Sequence, residues 1–251
     1  MAYDLAGFVK AAWSVLHPGR LLIWSWHYDL MCEYLTLVKQ RKICRLIVNT
    51  PPRCIKSTIF TICFPCWTWL TEPRHAFLCA SHSINLSTDH SIARRSLISS
   101  GFYQSFWHDK FKLSPDRNLT TQFANDHMGQ MIATSTGSGA EGLGADTAVV
   151  DDPMSLQQAL SDSERYSNNR WSSNTLRQRL NDPATAAIVV IMQRLHEMDT
   201  TGFFLSEDPG LWTHLVVRLV AEEDERWVFP ISGRIVVRKK GEVLQPARFT
   251  P

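Results

Sequence analysis

No apolar run in this 251-residue sequence approaches the roughly 18 residues of a membrane-spanning helix, and the first residues lack a signal peptide's order of charged, apolar and small side chains. A cytoplasmic location is expected. Cysteine is scarce: six (Cys32, Cys44, Cys54, Cys63, Cys66, Cys79) are too few for a disulfide framework in so long a chain. Cys63-Phe64-Pro65-Cys66 has redox or zinc spacing, but no second pair or histidine follows at a useful interval, and both thiols lie in an apolar run, which points to packing. Charge of one sign is also lacking. A net charge of +2 does not announce nucleic-acid binding, and Arg41-Lys42-Arg45, Arg94-Arg95 and Arg238-Lys239-Lys240 read first as solvated faces.

Glycine is missing where it would be most diagnostic. In RLIVNTPPRCIKST, Arg45 to Thr58, four strand-like residues run into a turn at Asn49-Thr50-Pro51-Pro52, and Lys56-Ser57-Thr58 opens an apolar helical pattern. A chain that leaves a buried strand and enters a helix amino-end-first aims several backbone N–H groups at one point, the usual way to hold phosphate. Lys56 can reach the outer phosphates and Ser57 supplies the hydroxyl usually given to magnesium. Thr50 and Ile55, however, stand where the phosphate-loop template has its two glycines. An ordinary strand-turn-helix with a surface lysine fits this segment equally well.

What is present in quantity is core: 44% hydrophobic against 20% charged residues, enough for one large α/β domain. Buried strands are expected at Ala76–Ala80 and Ala186–Met192, a short strand at Met131–Ala133, an apolar strand ending in two carboxylates within Thr147–Pro153, and further strands at His214–Val220 and Ile235–Val237. Helices are expected from Leu30 to Val38, after the lysine loop until Pro65 kinks or ends it, from Asn85 to Ser99, and from the capping-box sequence Ser161–Glu164 to Leu180. Gly101 to Asn118 reads as a surface excursion anchored by Phe102, Tyr103, Phe106 and Trp107. Gly137, Gly139, Gly142 and Gly144 mark either a flexible loop or a moving element beside a ligand.

TAVVDDP, Thr147 to Pro153, decides between the two readings of the lysine loop. An apolar strand ending in two carboxylates is the second requirement of a phosphate-loop enzyme: Asp151 orders magnesium and Asp152 polarises the attacking water. Ligands of open α/β sheets gather at strand carboxyl ends, which adds Ser81 and His82 as candidates. Gln193-Arg194-Leu195-His196, closing the next strand, can sense a γ-phosphate. Trp26 and His27, before the first helical pattern, can contact a purine or simply fill the core. Arg165, Arg170, Arg177 and Arg179 are available to a partner subunit or to DNA.

PPRCIKST, VVDDPMS and VVIMQRLHEMDTTG, in this order and spacing, resemble the ATPase motifs of the large subunit of tailed-phage terminases, the motors that package viral DNA; the resemblance runs from about Trp26 to the end. It implies a phosphate-loop NTPase fold of the ASCE type, with a mainly parallel sheet flanked by helices, and binding of ATP and Mg2+. Residues 1–44 are then an adenine-side segment, 45–220 the ATPase core, and 221–251 a linker toward a ribonuclease-H-like nuclease that this sequence does not contain. The resemblance assigns nucleotide contacts to Pro52, Arg53, Cys54, Ile55, Lys56, Ser57, Thr58, Trp26, His27 and Gln193, with Arg53 and Lys56 also catalytic. Ser57 and Asp151 hold the metal, Asp152 stands where many relatives have a catalytic glutamate, and Gln193, Arg194 and His196 form the coupling motif. One branch of the family carries a bulky aliphatic residue where this chain has Ile55. Many relatives have an arginine where this chain has Leu143, so an arginine acting on a neighbouring subunit has to come from elsewhere, with Arg94 and Arg95 as candidates. Implied partners are double-stranded DNA without sequence preference, the portal protein, the small terminase subunit and other copies in a ring, in the host cytoplasm. The competing readings are a helicase-like motor and a truncated prophage remnant that binds nucleotide or portal without turnover.

Overall fold

The computed structural model describes residues 4–138 and 144–248. Its elements in chain order are α1 (Leu5–Leu16), α2 (Trp26–Lys39), β1 (Arg45–Asn49), a π-helical turn Thr58–Cys63 running into α3 (Phe64–Thr68), β2 (Phe77–Ser81), α4 (Ile84–Ser99) and α5 (Gly101–Trp107). There follow β3 (Leu113–Asn118), β4 (Gln122–Asn125), β5 (Gln130–Ser135), β6 (Thr147–Asp151), α6 (Leu156–Leu160), α7 (Asp162–Arg170), a second π turn Trp171–Thr175 and α8 (Leu176–Gln178). The chain then forms β7 (Ala187–Met192), α9 (Thr200–Glu207), β8 (Thr213–Val216), β9 (Glu225–Val228) and β10 (Ile235–Arg238).

Among the described residues the main sheet has eight strands in the order β3-β4-β5-β2-β6-β7-β1-β8. From β5 to β8 every pairing is parallel, while β3 and β4 add an antiparallel edge. The central strands carry continuous apolar runs because both faces are covered. Leu46 and Val48, Phe77 and Cys79, Val149, Val189 and Ile191 point into one core, under α1 to α5. Ile47, Leu78 and Ala80, Ala148 and Val150, Ile188 and Val190 point into the other, with Trp171, Leu176, Phe204 and Trp212. Among the described residues no helix is long and apolar enough to cross a membrane.

The fold puts the two candidate phosphate elements on one edge. All carboxyl ends of the parallel strands face the same way, and in register Ser81 lies beside Asp151, Asp151 beside Ile191, and Asn49 beside Met192. One strand, β7, separates the lysine strand from the aspartate strand, a gap of about 10 Å at the usual spacing between neighbouring strands.

Several sequence expectations are corrected. Pro65 does not end its helix. A π turn ending at Cys63 absorbs the missing N–H, and the Thr61 carbonyl, which the Pro65 amide would otherwise have bonded, accepts from Arg94 Nη1 at 2.7 Å. The stretch from Gly101 holds α5 and an edge strand, with Tyr103 buried and Phe106 exposed. The helix from Ser161 does run on, through the second π turn to Gln178, and the last strand pairs with β9 in a separate two-stranded sheet. Trp26 and His27 lie inside the first turn of α2, not before it.

Arg94 is completely buried and makes no ion pair among the described residues, with Nε and Nη2 also lacking partners. Its contribution is the bond to the Thr61 carbonyl and the volume it fills. Arg94→Ala should therefore destabilise the chain by about 2–4 kcal/mol, read as a lower urea midpoint at unchanged slope. An unchanged midpoint would show that the clamp on the π turn carries no weight.

Candidate active site

The lysine loop holds the conformation of glycine without glycine. Arg53 and Ile55 sit at φ 63° and 45°, in the left-handed region that a β-branched residue enters only under constraint, at about 1–2 kcal/mol per residue. Ile55 occupies the template's second glycine position, so the motif's backbone demand survives although its residue does not. After it the helix begins at Lys56, whose side chain is 10% exposed and whose Nζ lies 2.5 Å from Asp152 Oδ1.

Asp152 is fixed by its backbone. Its φ of 46° is one that a short polar side chain tolerates. Its N–H donates to the Ile191 carbonyl at 2.9 Å, and its own carbonyl accepts from the His82 N–H at 3.0 Å and from His82 Nδ1 at 3.1 Å. The carboxylate that meets Lys56 is thus bolted to both neighbouring strand ends. His82, a weak candidate from sequence, serves as one of the bolts.

Asp151 is fully buried. The Thr61 hydroxyl donates to Oδ2 at 3.1 Å, His90 Nδ1 lies 4.0 Å from the same oxygen, and Oδ1 has no partner. Burial, reinforced by the neighbouring Asp152 charge, pushes its pKa up to about 6; Lys56 and the Ser57 and Thr61 hydroxyls pull the other way. An orphaned, buried carboxylate oxygen beside the Ser57 hydroxyl suits Mg2+, which takes one or two protein oxygens and fills its remaining positions with water and phosphate.

A cavity of about 490 Å³ opens beside the loop, lined on the loop side by Arg53 to Thr58. Cys54 is buried at its base, and Thr58 Oγ1 lies 3.1 Å from His17 Nε2. Its far wall is Trp13, His17, Arg20, Leu21 and Ile23, with Arg248 from the end of the chain. Neither Trp26 nor His27 lines it. His27 is fully buried, its Nδ1 3.0 Å from Ser25 Oγ, and burial drives its pKa down to about 3; Trp26 packs on Trp227. Trp13 lies in α1, whereas His17 is its C-cap and Arg20 follows the Pro18-Gly19 turn, so no single periodicity linked the three in the sequence; Arg248 carried no local signal.

Pro52 and Gln193 lie on the reverse side of the loop. With Asn49, Thr50, Arg194 and His214 they line a second cavity of about 730 Å³. Arg194 Nε donates to Asp199 Oδ2 at 3.0 Å and Nη2 to the His196 and Glu197 carbonyls, while His196 Nδ1 accepts from the Met198 N–H. Asn49 ties this block to the loop: its Nδ2 donates to the Met192 carbonyl and to Thr201 Oγ1, and its Oδ1 accepts from His214 Nε2 at 2.7 Å. The structure therefore brings Arg53, Lys56, Ser57, Asp151 and Asp152 to one edge and sets Gln193, Arg194 and His196 behind them. Arg94, on the buried face of α4, cannot reach a neighbouring subunit, which corrects its candidacy as a donated arginine. Gly139, Gly142 and Leu143 lie outside the described residues. Arg165 and Arg177 are paired with Asp162 and Asp208.

No protein-family model matches the sequence, and no curated protein matches it. Among solved structures, the chain is similar to the HK97 bacteriophage large terminase, with a TM-score of 0.52 and 9% sequence identity, covering 87% of this chain and 44% of that one. It also matches the large terminase of a thermophilic bacteriophage in complex with ADP, with a TM-score of 0.42 and 12% identity, covering 72% of this chain and 44% of that one. This chain thus spans less than half the length of the large terminases it is similar to. With the HK97 protein it shares the fold, a mixed α/β architecture around a mainly parallel sheet.

The Asp151 environment has a consequence for stability. Its folded pKa of about 6 lies above the ordinary value near 4, so the folded chain keeps a proton that the unfolded chain has lost. The contribution to stability is full below about pH 4 and is lost as pH rises through about 6. Asp151→Asn cannot titrate. It should match the wild type near pH 4 and exceed it above pH 7 by about 3 kcal/mol in metal-free denaturant titrations; a difference independent of pH would contradict the assignment.

Proposed function

We propose that this chain is a Mg2+-dependent ATP hydrolase, the motor unit of a phage large terminase that drives DNA into the procapsid. The observation that carries the reading is the 2.5 Å pair between Lys56 and Asp152, with the buried Asp151 carboxylate next to it. One lysine and two aspartates, distant in sequence, converge at the carboxyl edge of a parallel sheet, where open α/β folds bind ligands.

Catalysis at such a site is electrostatic. Lys56 leaves Asp152 for the β and γ phosphates, and the loop amides hold the same oxygens from the helix amino end. Asp151 and the Ser57 hydroxyl would hold Mg2+, which would supply positive charge against that developing on the phosphates. Asp152, released from Lys56, orients the attacking water and accepts its proton. Arg53, exposed at the cavity mouth, faces the transferred phosphate or yields that place to an arginine from a neighbouring copy. Trp13, Leu21 and Ile23 give the base an apolar wall. Gln193, Arg194 and His196, joined to the loop through Asn49, carry the change of state to the rest of the domain.

In the assembled motor the partners are double-stranded DNA gripped through its phosphates, the portal protein, the small terminase subunit and further copies of this chain in a ring, in the host cytoplasm. Arginine fingers are worth roughly 10³–10⁵ in rate, so the isolated chain should turn over slowly. Phosphate release from ATP by the purified chain, with DNA and portal added, is the direct assay. Lys56→Ala should reduce it to background. Turnover unaffected by that substitution would refute the site, and nucleotide binding without turnover would favour the non-productive remnant.

A further inference from the structure

The segment after β8 is folded onto the domain. Trp227 of β9 packs on Trp26, and the buried Arg238 pairs with Glu225 and donates to the Arg218, Leu219 and Glu242 carbonyls. Leu244 is buried, its N–H donating to the Leu219 carbonyl. Gln245, also buried, accepts from the Tyr28 hydroxyl at 3.1 Å and donates to the Ile23 carbonyl at 2.8 Å. Ile23 belongs to the cavity wall, so Gln245 registers the strap against that wall.

Three residues on, Arg248 enters the cavity lining together with Lys56 and Ser57, its guanidinium beside the Tyr28 hydroxyl. The lining carries Arg20, Arg53, Lys56 and Arg248 and no carboxylate. Lys56 has Asp152, whereas Arg20, Arg53 and Arg248 make no ion pair among the described residues. Convergent unpaired cations raise one another's energy until an anion arrives.

We infer that Arg248 is a phosphate ligand of the bound nucleotide, delivered by the strap, so that occupancy of the lysine loop fastens residues 241–248 across the cavity. The inference rests on the nucleotide site proposed above and adds a residue that no phosphate-loop motif contains. Guanidinium forms charge-assisted, often bidentate bonds to phosphate oxygens.

The test is calorimetric titration of the whole chain, with Mg2+, using ADP, ATPγS and adenosine. Arg248 is exposed, so Arg248→Gln should leave the Tm unchanged. It should weaken ADP and ATPγS by about tenfold and leave adenosine unaffected, with Arg248→Lys recovering part of the loss. ATPγS should also slow amide exchange across residues 241–248 in the wild type and not in Arg248→Gln. Equal nucleotide affinities for wild type and Arg248→Gln would overturn the inference, as would an equal loss for adenosine, which would place the side chain on the base. A wild-type chain that binds neither nucleotide would remove the site itself, and this inference with it.

Discussion

A single ion pair joins the two halves of this molecule's functional edge. Lys56 reaches from the helix after β1 to Asp152 at the end of β6 across the width of β7, and closes the gap to 2.5 Å. The lysine that phosphate would claim pairs with the carboxylate that water would need. The pair holds both side chains in place and mostly screened from solvent. A phosphate at Lys56 would have to displace that carboxylate, exchanging one anion for another, which limits the net gain from the lysine.

Around that pair the fold accepts local expense. Ile55 and Arg53 hold left-handed backbone, and Asp151 is buried with an oxygen unbonded. Behind Asp151 lies a polar layer: Ser81 from β2 and Ser87, His90 and Ser91 from α4 are buried with side-chain atoms that lack partners. Such features are destabilising in a structure optimised only to fold, and they cluster where a site is pre-organised. Thr61 connects them, because its hydroxyl positions Asp151 while its carbonyl is held by Arg94. The π turn at Pro65 is therefore part of the support of Asp151.

Much of this was legible in the residues. The apolar runs of β1, β2, β6 and β7 announced strands buried on both faces, and the lysine and the paired aspartates at their ends marked the edge. The glycine template failed at Ile55 because it encodes a residue, whereas the physical requirement is a backbone angle that the surrounding loop enforces. The choice left open for Trp26 and His27 could not be made from sequence, because aromatic composition does not say which face of a helix a ring occupies; His27 is buried beside Tyr28, and the partly buried Trp26 packs on Trp227. Arg248 was illegible for a different reason. Its place depends on Gln245, Tyr28 and Ile23 meeting across more than two hundred residues, a coincidence of tertiary packing with no local pattern.

The most direct measurement is a crystal structure of the chain with Mg2+ and a non-hydrolysable ATP analogue. The account predicts that Lys56 Nζ leaves Asp152 for the β and γ phosphate oxygens, with the metal at Asp151 Oδ1 and the Ser57 hydroxyl and a water ordered by Asp152. An analogue bound elsewhere, or bound while Lys56 and Asp152 stay paired, would contradict it.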